Sequence, residues 1–372
     1  MRTPPLPGAV AGILLLGSVQ PASAQRLDQH GQFAAGSEIR VLTFDGLPSL
    51  KRLRQITLPI GAIYTVRHLT VDLGTAWAST ELKQVDGGGH TANHLTDTQV
   101  RGAYVFGRDA LVATVLVNLP TGPRRASALD YTVIGAVSPT FLGFPVSGYA
   151  SGFSVTGGLA GATQAGDWSV GAAGSIRLNG QFTPYVDSAG PIVYKPGVEA
   201  RIRGGADGLV GSSRLSFGLT FSTFGDDQVG LSGGTSRGQY RPGPRWLAEG
   251  ALIAPVGKAT LNLSAWDFYR GSGDTTGASL GNHENLVGGD LMLSVPLSPG
   301  LALEPVVAGR ASKPQTGSGR MIGLGTGLRI RLADNATFTP LARYDTGSIS
   351  DGTGARNSLH GWYASALLRT SF

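Results

Sequence analysis

His90 and His94 stand four residues apart in a stretch that opens with Gly87, Gly88 and Gly89. On a helix that spacing would offer two imidazoles to one metal ion. No helical periodicity surrounds the pair, so the expectation is a solvated loop. His283 with Glu284 brings no third ligand. Gly323, Gly325 and Gly327 look like a nucleotide loop, but Leu328 to Leu332 continues an extended pattern. A phosphate cradle needs the amides of a helix N-terminus there. A nucleophilic serine needs a histidine and a carboxylate or amide at one depth, and neither Ser358 with His360 nor His283 with Asn282 completes such a set. The chain has no cysteine, which removes a thiolate nucleophile, a thiolate metal centre and any disulfide. No catalytic residue, metal ion or cofactor is expected, and the sequence does not read as an enzyme.

The side chains that remain for chemistry are arginines. Lys and Arg together number 30, of which five are lysine, and the formal net charge is +6. A nucleic-acid binder gathers its basic residues into a patch or along one helix. Here they are spread roughly one per segment, so nucleic acid is not an expected partner. Guanidinium is the cation best shaped to grip carboxylate bidentately. What matters is which surface the arginines share.

Side chains alternate between the two faces of a strand, and the last thirteen residues show that period clearly. Trp362, Ala364, Ala366, Leu368, Thr370 and Phe372 fall on one face, and Tyr363, Ser365, Leu367, Arg369 and Ser371 on the other. An apolar face ending in aromatics, opposite a polar face, suits a strand between lipid and a wet lumen. The terminal Phe372 resembles the signal that the barrel-assembly machinery reads in bacterial outer-membrane barrels.

The same alternation recurs from Ser37 onward in segments mostly of about nine to thirteen residues, the length a tilted membrane strand needs, with the first the weakest. They run over 39–45, 56–66, 69–82, 97–106, 110–119, 153–163, 167–178, 198–204, 213–224, 246–254, 259–270, 286–295, 301–310, 321–332 and 336–344, with the closing strand last. Short turns near 67, 108, 165, 208, 257, 298 and 334 alternate with longer Gly/Ser/Asp-rich loops. The expected fold is all-β: an antiparallel up-and-down transmembrane barrel of about 16 strands, or 14 if the first drops out and another pair merges. Short turns would face the periplasm and long loops the outside. Gly makes up 57 of 372 residues and charged residues only 15%, which fits such a barrel better than a soluble domain. Tyr131 to Gly166 carries no charge, but Pro139, Pro145 and repeated glycines forbid a membrane helix. Residues 120–150 are therefore expected as a long loop, one that could fold into the lumen and form a constriction there.

Residues 1–24 read as a signal peptide. Arg2 supplies a short basic start, Ile13 to Leu16 the apolar heart, and Ala22-Ser23-Ala24 the cleavage site. A periplasmic segment over 25–37 and a barrel over 38–372 would follow. In a closed barrel the polar faces form the lumen. Its lining would be Arg101, Arg177, Arg201, Arg203, Arg214, Arg310, Arg329, Arg331, Arg343 and Arg369, with Asp72, Glu199, Asp290, Glu304 and Asp345. Either the excess of base draws anions, or the acids simply neutralise the arginines and keep the wall ordered.

Residues 97–122 resemble a family of outer-membrane proteins named for the meta-pathway of phenol degradation. The matching features are Asp97, a strand, the Gly107-Arg108-Asp109 turn, and a second strand ending in Leu119-Pro120-Thr121-Gly122. Pro120 has no donor and ends strand pairing, and Gly122 lets the chain turn. The resemblance implies a transporter loosely similar to long-chain fatty acid and aromatic hydrocarbon channels, taking up hydrophobic or aromatic compounds. An aromatic acid would reconcile that with an arginine-lined lumen. The expected function is passive uptake of small organic solutes by a barrel among outer-membrane lipids. The alternatives are a general diffusion porin and a structural or adhesive barrel without transport.

Overall fold

The computed structural model describes residues 30–107, 111–188, 190–231, 236–275, 278–279, 282–350 and 355–372. The expected signal peptide, residues 25–29 and most of the Gly107-Arg108-Asp109 turn lie outside them. Sixteen antiparallel staves close on themselves. They are β1 (His30–Asp45), β2 (Leu50–Val66), β3 (Leu69–Gln84), β4 (Gly89–Leu95 continued by Thr98–Phe106), β5 (Leu111–Leu119), β6 (Ser154–Ala165), β7 (Trp168–Asn179) and β8 (Glu199–Val210). The circuit continues through β9 (Ser213–Phe224), β10 (Arg245–Val256), β11 (Ala259–Arg270), β12 (Glu284–Ser298), β13 (Leu301–Pro314), β14 (Ser318–Ala333), β15 (Ala336–Ser350) and β16 (Arg356–Ser371). Each stave pairs with its neighbour in sequence, and β16 returns to β1 from Gln32↔Ser371 to Asp45↔Ser358. Beyond that ladder Gly31 and Phe372 exchange both backbone hydrogen bonds, at 2.8 and 2.9 Å. A Cβ on Gly31 would run into the Phe372 ring, so glycine is what lets the last aromatic lie across the seam.

Closure follows from the alternation. The outward faces carry Leu58, Ile60, Leu69, Val71, Leu73, Val115, Leu159, Ile176, Ile202, Phe217, Leu219, Leu263, Leu291, Val307, Ile322 and Leu324, all exposed. Aromatics rim this belt. Tyr64, Tyr104, Phe106 and Phe372 lie toward the short turns, and Trp77, Trp246, Tyr269, Tyr344 and Trp362 toward the loops. Trp362 and Phe372 are ten positions apart on one stave, about 24 Å of height at the usual tilt, which matches the apolar band of such barrels. A greasy exterior with every backbone amide paired around a ring is what hydrocarbon demands of strands. The chain is a bacterial outer-membrane β-barrel.

Two expectations about boundaries need correction. Residues 30–37 are not a segment ahead of the barrel but the first half of β1. The stave expected over 198–204 runs on to Val210, so the turn placed near 208 falls at Gly211-Ser212. Most loops on the far side are also shorter than expected, because staves continue as paired ladders above the belt. β1, β2 and β3 are 16, 17 and 16 residues long, whereas β6 to β11 have 12 each. Over the shorter wall, Phe182–Asp187, Gly190–Lys195, Asp227–Leu231, Ser236–Arg241 and two short strands form a second, six-stranded sheet.

Candidate functional site in the lumen

The region expected as a long loop over 120–150 is an ordered insertion folded into the barrel. It contains one α-helix, α1 (Ala128–Val137), followed by a short 3-10 helix over Thr140–Leu142. Ser127 caps it, accepting from the Asp130 amide at 3.0 Å, while the Asp130 side chain accepts from the Ser127 amide at 3.2 Å. This reciprocal box satisfies two of the donors a helix start leaves open. Val133, Val137, Phe141, Leu142, Phe144, Val146 and Tyr149 then pack against the inward side chains Leu42, Phe44, Leu53, Ala78, Leu82, Leu286, Met321 and Leu359. These apolar residues on the polar face mark where the wall is covered.

Polar anchors fix the insertion. Arg40 donates from Nε to the Leu142 carbonyl at 2.7 Å, and Arg310 from Nη1 to the Phe141 carbonyl at 3.4 Å. Gln55 donates to the Val146 carbonyl at 2.8 Å and accepts from the Val146 amide at 2.9 Å, as a neighbouring strand would. Tyr149 meets the Thr80 hydroxyl. Behind them Arg40 pairs with Asp345 at 2.9 Å, each only 1% exposed, and Arg343 holds the other Asp345 oxygen at 2.7 Å.

Both stems of the insertion meet at Asp97, in the break between the two halves of β4. Its Oδ1 accepts from the Gly122 amide at 3.0 Å and its Oδ2 from the Ser151 amide at 2.7 Å and Asn118 Nδ2 at 2.9 Å. Thr121 Oγ1 accepts from the Thr98 amide and donates to the Thr96 carbonyl. A Cβ at Gly122 would strike the Tyr149 carbonyl. The Asp97…Pro120-Thr121-Gly122 pattern singled out in the sequence is therefore the knot that holds the insertion at its root.

His90 and His94 lie on a strand, not in a solvated loop, and both turn toward α1. His90 Nε2 is 2.8 Å and His94 Nε2 3.7 Å from the Asp130 carboxylate. Burial alone would raise Asp130, but the hydrogen bonds from His90 and Ser127 outweigh it and hold the carboxyl below its ordinary 3.8. A depressed carboxyl stabilises docking above its undocked pKa, and that contribution is lost as pH falls through the docked value. The amide exchange rate of α1, corrected for its intrinsic pH dependence, should therefore rise below about pH 4. Asp130→Asn should abolish that acid rise, and an unchanged rise would show that α1 is held by other contacts.

The strand register puts all fifteen polar residues singled out in the sequence on the inward face. They separate into three groups. Arg310, Arg343, Asp290 and Asp345 lie under the insertion with Arg40. Arg177, Arg201, Arg203, Arg214 and Glu199 line β7, β8 and β9. Arg101 with Asp72, Arg329 with Glu304, and Arg331 with Asp334 sit nearer the turn end. Arg369 shares the inward face with Thr337. Most have acid partners, including Arg201–Glu199 at 2.6 Å, Arg214–Asp207 at 2.9 Å and Arg203–Glu249. Yet Arg101, Arg201, Arg203 and Arg329 keep 48–55% of their side-chain surface exposed. A dry interior would bury them, so this lumen is wet.

Sequence reading missed Arg40, Gln55, Glu38, Asp207, Arg245, Glu249, Arg270 and Glu284. Six of them lie in the faint first segment or at the ends of the expected staves, where too few alternating neighbours assign a face. Asp207 lay beyond the expected stave, and Glu249 lay inside a recognised one with its parity unused.

No protein-family profile matches the chain, and no curated protein matches it. Among solved structures with a similar fold is a loop-L8 deletion mutant of OmpT, an outer membrane protein of Vibrio cholerae. It is 11% identical over 93% of this chain and 98% of that one, with a TM-score of 0.41. An outer membrane channel from Pseudomonas putida F1 is 10% identical over 95% and 100%, with a TM-score of 0.39. An anion-selective porin from Comamonas acidovorans is 10% identical over 93% and 100%, with a TM-score of 0.40. At such distances the architecture stands on the strand register itself.

Proposed function

We propose that this barrel is a passive channel for small organic solutes, favours anions, and is narrowed by the insertion over 120–153. The observation that carries this reading is the division of the lumen. One wall, from β12 round to β4, is covered by the insertion. The other, from β7 to β11, presents Arg177, Arg201, Arg203, Arg245 and Arg270 to the remaining space. A row of guanidinium groups along a water-filled path lowers the barrier for anions and raises it for cations. The acids between them keep the wall ordered and the preference moderate. The aromatic part of the substrate class rests on the likeness of residues 97–122 to the phenol meta-pathway family.

In planar bilayers with a tenfold KCl gradient, the zero-current potential should take the sign of chloride preference. Arg201→Gln with Arg203→Gln should shift it toward zero. A potential of cation sign would overturn the anion preference. Absence of solute flux in liposome swelling would overturn the channel and favour a structural barrel.

A further inference from the structure

Arg245 and Arg270 are direct cross-strand partners on the inward face at the loop end of β10 and β11. Like charges placed opposite each other on a sheet repel. Arg270 is balanced: Glu284 lies 3.1 Å away and is itself held by Ser312. Arg245 is not. Among the described residues no carboxylate comes within ion-pair distance of it, and its guanidinium instead lies over the Phe224 ring at 4.5 Å. The nearby acids are engaged elsewhere, Glu199 by Arg201 and Asp227 by the Tyr194 hydroxyl and the Gly197 amide. The Nε atoms of both Arg245 and Arg270 are buried without an acceptor. Buried guanidinium donors left unmade are costly, and here two of them adjoin.

Directly below this pair on the same face is the Leu247↔Phe268 pair, and below that Glu249↔Trp266. A cationic pair thus sits on an apolar ledge at the mouth of the lumen. We propose that Arg245 and Arg270 bind the carboxylate of a monoanionic organic acid, with its apolar body lying on Leu247 and Phe268. Two forked donor groups suit the two oxygens of a carboxylate. One guanidinium lacks a counter-charge, so one negative charge balances it. A phosphate dianion would bring a second charge toward Glu199 and Glu284 and leave the ledge unused. The site deepens the channel reading, because a solute must pass this mouth to enter, but binding can be measured without conduction.

Benzoate titrated onto the detergent-solubilised full barrel, followed by calorimetry, should bind saturably. Arg245→Gln and Arg270→Gln should each weaken it at least tenfold. Arg245→Lys should weaken it as well, since a point charge replaces a fork. Phe268→Ser should weaken benzoate while leaving acetate unchanged. Heat-modifiable gel mobility verifies that each variant is folded, and Arg245→Lys serves if Arg245→Gln is not. Benzoate binding equal in wild type and Arg245 variants, phosphate binding as tight as benzoate, or no saturable binding would each overturn the site. A barrel that binds benzoate but passes no solute keeps the site and overturns the channel.

Discussion

Replacing residues 124–148 by a short Gly/Ser bridge should raise single-channel conductance roughly threefold or more, because a barrel of this strand number leaves an aqueous channel unless something fills it. The stems allow the cut: Asp97 holds Gly122 and Ser151 at once, and the Asp97 amide donates to the Tyr149 carbonyl at 3.1 Å. A bridge of about four residues closes the gap without straining β5 or β6, because the stems already touch where Gly122 meets the Tyr149 carbonyl. The apolar wall residues Leu42, Leu53, Leu82 and Leu359 would then face water, so some loss of stability is also expected. The milder variant Asp97→Ala removes the shared acceptor at the root. It should give channels that flicker between the native conductance and the larger one. Planar-bilayer recording checks both. A deletion variant that conducts like the native protein would mean that the insertion lies clear of the ion path.

The barrel was legible because its physics is one-dimensional. Hydrocarbon outside and water inside force a period of two on every stave, and the period survives in a single sequence. It reads which side chains share a face, as with Leu215, Phe217, Leu219 and Phe221 against Arg214, Ser216, Thr220 and Ser222. The insertion has no such constraint. α1 packs inside the lumen, in contact with both apolar wall and polar anchors, so Val133 and Val137 are not set off by a contrasting polar face. Pro139, Pro145 and the glycines around it looked like a loop for sound local reasons. The anchors were equally hidden. Nothing in the local sequence tells that Arg40 meets Leu142, or that Gln55 meets Val146, across 102 and 91 residues. Charge balance is also a tertiary property. Arg203 finds Glu249 and Arg214 finds Asp207, whereas Arg245 finds a ring.

The wall behind the insertion explains how a wet barrel keeps one side ordered. Arg40, Asp345, Arg343 and Asp290 form a chain of ion pairs from β1 to β12, and its first two members are almost fully enclosed. Arg40 also reaches Met321 and the Leu142 carbonyl. One side chain thus ties the seam region of the barrel to the insertion.

Arg40→Ala should therefore be the most damaging single change in the barrel. It leaves Asp345 enclosed with half its compensation gone, strips the Leu142 carbonyl of its donor, and opens a void beneath the insertion. Breaking one side of a buried ion pair costs about 3–5 kcal/mol, a large share of typical stability. The urea midpoint of the folded barrel, read by heat-modifiable mobility, should fall accordingly. Replacing both partners separates the causes. Arg40→Met with Asp345→Leu removes the stranded charge and refills the volume, so most of the stability should return, as it does when buried ion pairs give way to apolar groups. The insertion would still lack its Arg40 anchor in that double variant. Conductance should then show frequent visits to the larger level seen on deletion of 124–148, although the barrel itself is sound. If Arg40→Ala and the double variant are equally unstable, the loss comes from packing and not from the unpaired carboxylate. If the double variant conducts like the native channel, Gln55 and Asp97 suffice to hold the insertion in place.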